Sequence, residues 1–178
     1  MAYAIRPIIQ EDEPFLWQML YEAAHMAEEG ALTVQDAMNH PDLAKYVKNW
    51  GLEDDMGFIA TLASSNQPVG AAWLRLLTGE NKGYGYLGDR TPELAMSDDK
   101  PLCVYAVLPE YRNQGIGTQL LTHLLATAKA AYPSVSLSIR SSNPALRLYK
   151  QLGWKIVDGS ETINRVGGIS FKMKLDFD

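Results

Sequence analysis

Arg112-Asn-Gln-Gly115-Ile-Gly117-Thr118 is the stretch of this chain with the clearest chemical content. It follows a short apolar run that reads as a buried strand and that Pro109 ends. Beyond it, Leu120, Leu121, Leu124, Leu125 and Ala128 repeat at helical spacing. Strand, glycine turn and helix therefore succeed one another. The first amides of a helix have no intrahelical acceptor, and the dipole adds partial positive charge there. Glycine at that point removes a Cβ that would hold an anion away from those donors. The turn predicts an anion cradle suited to a pyrophosphate, with the Thr118 side chain as an extra donor.

The same glycines admit other readings. Gly115 and Gly117 could simply turn the chain. A dinucleotide fingerprint needs a third glycine three residues on, where this chain has Leu120, and a P-loop needs a lysine that does not follow Gly117. Gly83-Tyr-Gly-Tyr-Leu-Gly88 fits the letters GxGxxG, but Asp89-Arg-Thr-Pro92 follows it and breaks a helix before it starts. That run is expected to be a Gly/Tyr-rich surface loop; a nicotinamide-dependent oxidoreductase, a rival reading, would require it to be functional.

A second constellation is Asn143-Pro-Ala-Leu-Arg-Leu-Tyr149-Lys-Gln-Leu-Gly153-Trp154. Asn143 suits an N-cap, Pro144 the first helical position, and Gly153 the residue past the C-terminus. Tyr149 carries a phenol that stays protonated at pH 7 and can donate its proton. Leu146, Tyr149 and Leu152 share helical spacing, so the ring could equally be a core aromatic.

Taken together, Val107-Leu-Pro-x-Tyr-Arg-x-x-Gly-x-Gly-Thr and the Tyr149 segment resemble the GNAT superfamily of N-acetyltransferases. The family's second signature has one departure here: its asparagine position holds Ser142, and Asn143 is displaced by one. The resemblance implies an α/β fold with a central mixed twisted sheet, helices on both faces, and strands four and five splayed apart. It implies that Arg112, Asn113, Gln114, Gly115, Ile116, Gly117 and Thr118 hold the pyrophosphate of acetyl-CoA. Backbone groups of Ala106 and Val107 would hold the pantetheine arm and polarise the thioester, with Asn143 as a further contact. Tyr149 would protonate the departing thiolate. The implied reaction is direct transfer of an acetyl group to a primary amine of a small molecule or peptide. A non-catalytic acyl-CoA sensor is the alternative.

The general base is less evident. In relatives Pro-Glu-Leu begins the strand that runs directly into the Val-x-Pro-x-x-Arg motif. Here Pro92-Glu93-Leu94 is displaced by an insertion around residues 97–101, and Leu102 stands at the motif-aligned position five residues before Val107. Glu93, Asp98 and Asp99 are candidates to take the amine's proton through water, with Glu93 favoured. Acceptor specificity is expected in residues 78–101, where Tyr84, Tyr86 and Leu87 offer aromatic and apolar surface, and on the first two helices. His123 reads as a surface residue, and no metal-ligand cluster is visible.

These groups need a scaffold, and 178 residues supply one domain, residues 1–178, able to bury about two-thirds of its unfolded surface. The expected elements are a first strand over residues 3–9, a helix opened by Glu11-Asp-Glu-Pro14 and running through about Ala27, and a second from Thr33 or Val34 toward Trp50, broken near His40-Pro41. A hairpin over 58–63 and 68–77 follows, then the motif strand, a half-buried strand in which inward Val135, Leu137 and Ile139 alternate with solvent-facing serines, and closing strands over 155–158 and 169–177. Net charge of −5 argues against nucleic acid and is compatible with a cationic amine. No apolar run approaches the roughly 20 residues of a membrane span. Cys103, the only cysteine, excludes an intrachain disulfide and reads as buried filler. A cytoplasmic protein is the default expectation; the sequence leaves oligomeric state open, a homodimer included.

Overall fold

The computed structural model describes residues 2–23, 33–94, 106–111, 114–143, 145–164 and 167–177. Arg112, Asn113, Pro144, Cys103, Asp98 and Asp99 lie outside the described residues, so the expectations placed on them have no structural counterpart here.

Among the described residues nine strands form one sheet: β1 (Tyr3–Pro7), β2 (Met56–Leu62), β3 (Pro68–Arg75), β4 (Glu93–Leu94), β5 (Ala106–Val107), β6 (Ser134–Arg140), β7 (Lys155–Ile156), β8 (Thr162–Ile163) and β9 (Ile169–Asp176). The order is β1-β2-β3-β4-β6-β9-β7, with β5 added on β3 and β8 on β9. All pairings are antiparallel except β4 with β6, so the sheet is mixed as expected. The helices are α1 (Glu13–Ala23), α2 (Val34–Asn39), α3 (Pro41–Ala44), α4 (Ile116–Ala131) and α5 (Leu146–Gln151). Pro41 opens α3, which accounts for the break at His40-Pro41.

Alternation along the central strands divides the core in two. Ala60, Ala72, Leu74 and Leu94 face α4 and α5, whereas Ile59, Ala71 and Trp73 face α1 to α3. Helices therefore cover both faces. Leu120, Leu121 and Leu124 of α4 are almost wholly buried. At about 1.5–3 kcal/mol for each buried leucine, they outweigh the weak helix propensity of Thr118, Thr122 and Thr127, at most about 0.7 kcal/mol apiece. Packing, not propensity, holds α4 in place.

Two expectations need correction. The serines of β6 do not face solvent: Ser134 and Ser136 are buried along with Val135, Leu137 and Ile139, because loops and helices cover this strand from both sides. Asn143 is not the residue adjoining α5. Ala145 holds that position, and Asn143 acts one step earlier, its Oδ1 accepting the Ala145 N–H at 2.8 Å. The far end of α5 follows expectation. Gly153 has φ +90°, the Gly153 amide donates to Lys150 O and the Trp154 amide to Tyr149 O, which together close a Schellman motif.

Candidate functional site

The register of β3 shows how Glu93 reaches the site. Val107 and Ala106 of β5 stand opposite Gly70 and Ala71, while Leu94 and Glu93 of β4 stand opposite Leu74 and Arg75. Continuing the β5 register along β3 would set residue 102 opposite Arg75. Glu93 occupies that slot, nine residues earlier in sequence. The strand carboxylate that Leu102 denied to the motif alignment is thus restored in space. Beyond β4 the sheet changes character: Glu93 pairs with Ser136 of β6, but among the described residues no ladder joins β5 to β6. The family resemblance expects its fourth and fifth strands to splay apart at this place in the sheet.

Glu93 is 3% exposed and faces the α1–α3 side of the sheet. Its Oε1 accepts the Tyr46 hydroxyl at 2.7 Å and the Gly85 amide at 2.7 Å. Among the described residues its Oε2 is buried with no hydrogen-bond partner. Burial pushes the carboxyl up to about 7, against the opposing pull of the Tyr46 and Gly85 hydrogen bonds and of Lys172 and Lys45. A carboxyl poised there can both accept and release a proton near neutral pH.

Tyr46 is aimed at Glu93 by two side chains of β3. Trp73 Nε1 donates to Tyr46 O at 2.9 Å. Arg75 donates to the carbonyls of Lys45, Lys48 and Asn49 and makes a two-pronged pair with Asp55, both contacts at 2.8 Å. The turn after α3 is thereby pinned to the sheet. Burial and the neighbouring Glu93 carboxylate push the Tyr46 phenol well above its ordinary value, so it remains a donor.

The Gly/Tyr run is a loop, as expected, but not merely a surface one. Gly85 is buried, and a Cβ on it would come within 2.9 Å of Glu93 and of the backbone of Leu137 and Ser138. A Cβ on Gly83 would collide with the Glu93 carboxylate and the Tyr46 hydroxyl. The two glycines let the loop lie close enough to cap Glu93, with the Tyr84 amide donating to the Tyr46 hydroxyl at 2.9 Å. No helix follows the loop; Asp89 to Thr91 turn directly into β4, so the dinucleotide reading has no structural support.

A cavity of about 360 Å³ opens beside these groups, lined by Leu20, Leu43, Tyr46, Tyr84, Glu93 and Leu94 and by residues of β6, β8 and β9. Tyr84 is exposed, in keeping with a residue at the mouth of the cavity. The first helices and residues 78–101 thus both contribute to its walls. Tyr86 instead donates from its hydroxyl to Asp89 and supplies a carbonyl to Lys172.

On the other face, Gly115 precedes α4 with φ +75°, a left-handed conformation that glycine tolerates, and nothing lies within 4 Å of where a Cβ would stand. The first-turn amides of Ile116, Gly117 and Thr118 are those a helix leaves to partners outside itself. Tyr3 donates from its hydroxyl to Gln114 O at 3.0 Å, tying the turn to β1. These features fit a phosphate-bearing group. Tyr149 is wholly buried in the α4–α5 core, its ring edge-on to Trp154 at 5.4 Å between centroids. Glu93 and Tyr149 therefore lie on opposite faces of the sheet. His123 is exposed on α4, as expected. No metal-binding cluster occurs among the described residues, and no helix among them is long and apolar enough to cross a membrane.

The residues that sequence reading missed are Tyr46, Gly83, Gly85 and Lys172. Only the glycines left a signal, and it pointed to a turn.

Comparison with known proteins agrees with this architecture. A family model described as acetyltransferase (GNAT) family matches residues 16–154. A curated N-alpha-acetyltransferase of Sulfurisphaera tokodaii is 49% identical over 55 residues, covering 29% of this chain and 33% of that protein. The matched part thus spans about a third of that relative's length. Among solved structures, the ribosomal-protein-S18-alanine N-acetyltransferase from Escherichia coli superposes with a TM-score of 0.65 at 19% identity, covering 99% of this chain and 95% of that one. The NatC complex bound to Gag peptide and CoA gives 0.63 at 16% identity, with all of both chains covered. At these identities the structural likeness shows the fold.

Proposed function

Because this chain belongs to the GNAT family of acetyltransferases, we propose that it transfers an acetyl group from acetyl-CoA directly to a primary amine, with Glu93 as base and Tyr149 as acid. The observation that carries this reading is the buried Glu93 carboxyl, held near neutrality in a cavity beside β4. A non-catalytic sensor would have no use for such a group.

Acetyl-CoA supplies an activated acyl group on a thiol that leaves readily. The chain's own residues do the rest. Gln114 to Thr118, with Arg112 and Asn113, hold the pyrophosphate at the start of α4. The backbone of Ala106 and Val107 orients the pantetheine arm and polarises the carbonyl, a contribution worth roughly 10²–10³ in rate where one such donor has been removed. Asn143, whose Oδ1 accepts the Ala145 N–H, is a further contact to the same arm. Glu93 accepts the proton that the ammonium must lose, directly or through water. The amine nitrogen then bonds the acetyl carbon as the carbon–sulfur bond breaks. Tyr149 gives its proton to the departing thiolate, leaving the N-acetylated amine and free CoA. Each proton transfer is worth about 10²–10⁴.

Calorimetry on a Gly115→Val variant tests the donor half. A β-branched residue at φ +75° is strained and should abolish CoA binding while the melting transition survives. Wild-type affinity in that variant would remove the cradle from the account.

A further inference from the structure

Arg75 reaches both partners of the contact between Tyr46 and Glu93. Its main chain lies opposite Glu93 in the β3–β4 ladder, and paired residues share a face, so both look toward α1–α3. Its side chain reaches the loop that carries Tyr46. Arg75 is 3% exposed, and all five of its N–H donors are taken. Nε and Nη2 hold the Asp55 carboxylate, Nη1 holds the carbonyls of Lys45 and Lys48, and Nη2 also holds that of Asn49. Asp55 in turn accepts the amides of Gly51 and Leu52, and the Trp50 ring centre lies 5.8 Å from the guanidinium. Residues 45–55 therefore fold around one buried cation whose charge Asp55 matches.

That loop begins with two groups that act on Glu93. Tyr46 donates to its Oε1, and the Lys45 ammonium favours its ionised form. Lys45 O, held by Arg75 at 3.0 Å, belongs to the peptide bond that leads into Tyr46. The other charged groups near Glu93 among the described residues are Lys172 on β9 and Arg140 on β6, both in the cavity wall. The Tyr46 contact is 2.7 Å long. The ordinary range for an O–H···O bond ends at about 3.0 Å, so moving the turn by about 0.5 Å would take it out of range. Taking Glu93 as the base, as above, we propose that Arg75 is a positioning residue for acetyl transfer: by folding residues 45–55 around its guanidinium it holds the Tyr46 hydroxyl on Glu93. The role goes through placement, not charge. A lysine at this position would keep the charge but has three donors and no planar fork.

The Glu93 titration can be read with and without turnover. Carboxyl ¹³C NMR on glutamate-labelled protein follows it through the resonance that Glu93→Gln removes, and kcat/KM for acetyl transfer against pH follows it in the reaction. In Arg75→Lys both midpoints should move to higher pH, by no more than in Tyr46→Phe, in a protein that keeps a cooperative melt and wild-type CoA affinity. In the Tyr46→Phe background the same substitution should add a smaller shift or none, because the contact it serves is already gone. A purely structural role would lower the folded fraction and scale the rate at every pH without moving either midpoint. If Arg75→Lys does not fold, the double variant Asp55→Asn/Arg75→Gln, which leaves no lone charge in the interior, provides the same comparison. A Glu93 resonance whose midpoint stays or falls in these variants, or moves equally in both backgrounds, overturns the proposal. A resonance that moves as expected beside a kinetic inflection that survives Glu93→Gln would overturn Glu93 as the base and leave Arg75 as the residue that positions its hydrogen-bond partner.

Discussion

The Tyr46 hydroxyl donates to Glu93 Oε1 at 2.7 Å across 47 residues of chain, joining the helical layer to the short strand β4 beside the cavity. Two influences on Glu93 oppose each other there. Burial favours the neutral acid, while the phenol and the Gly85 amide favour the carboxylate, and burial wins by enough to leave the carboxyl at about 7. The bond therefore tunes the base as well as positioning it.

Removing that donor should make the base harder to ionise. Tyr46→Phe keeps the ring in its apolar surroundings and deletes an interaction that lowers the Glu93 value. The inflection in a kcat/KM profile against pH should move to higher pH than in the wild type. An inflection that stays in place or falls would show that the phenol does not tune Glu93.

The same carboxyl should mark the stability curve. Its folded value, about 7, exceeds the ordinary 4.5. Between those values the native state holds the proton and the unfolded chain does not, so stability falls as pH rises. The favourable contribution is complete below about 4.5 and lost above about 7, with an upper size on the order of 3 kcal/mol. Tyr46, Lys172 and Lys45 face Glu93, and all three act to lower its value against the effect of burial. Urea denaturation from pH 4.5 to 8 should show this decline in the wild type and a flatter course in Glu93→Gln. Equal slopes would contradict the burial argument.

The loop over Glu93 should tolerate no side chain at Gly85. A Cβ would meet the backbone of Leu137 and Ser138, which cannot swing aside as a side-chain tip can. Gly85→Ala should cost about 1–3 kcal/mol in a thermal or urea melt. Gly88→Ala, with open space around it, should cost less than about 1 kcal/mol. Similar losses at both positions would mean that the loop does not press on Glu93.

Much of this was legible in the residues, for identifiable reasons. Gly115 and the apolar stripe of α4 announce themselves because turn and helix obey local rules. The alternation of Val135, Leu137 and Ile139 with serines located both faces of β6, but the serine face was expected in solvent. It is the cavity floor, and only the fold could show that α1–α3 lie above it. Glu93 was singled out from Pro-Glu-Leu, yet its place opposite Arg75, where the β5 register would set residue 102, is a matter of strand pairing that no local signal encodes. Tyr46 had no local signature, since its role comes from Trp73 and Arg75 reaching across from β3.

Tyr149→Phe should separate acid from packing. The ring and its contact with Trp154 remain, while the proton donor is lost. CoA affinity should stay within about threefold of the wild type, and kcat should fall by roughly 10²–10⁴. Turnover unchanged where chemistry is rate-limiting would assign the proton to another group.

The most direct measurement is the pH dependence of acetyl transfer from acetyl-CoA in the wild type and in Glu93→Gln, with CoA affinity recorded for both. The amide can keep its hydrogen bonds to Tyr46 and Gly85 and cannot take the amine's proton. The wild-type kcat/KM should rise through an inflection near 7. The variant should lie about 10²–10⁴ lower near neutrality, lose that inflection and bind CoA as tightly. A variant that retains both the wild-type rate and the inflection would contradict the account.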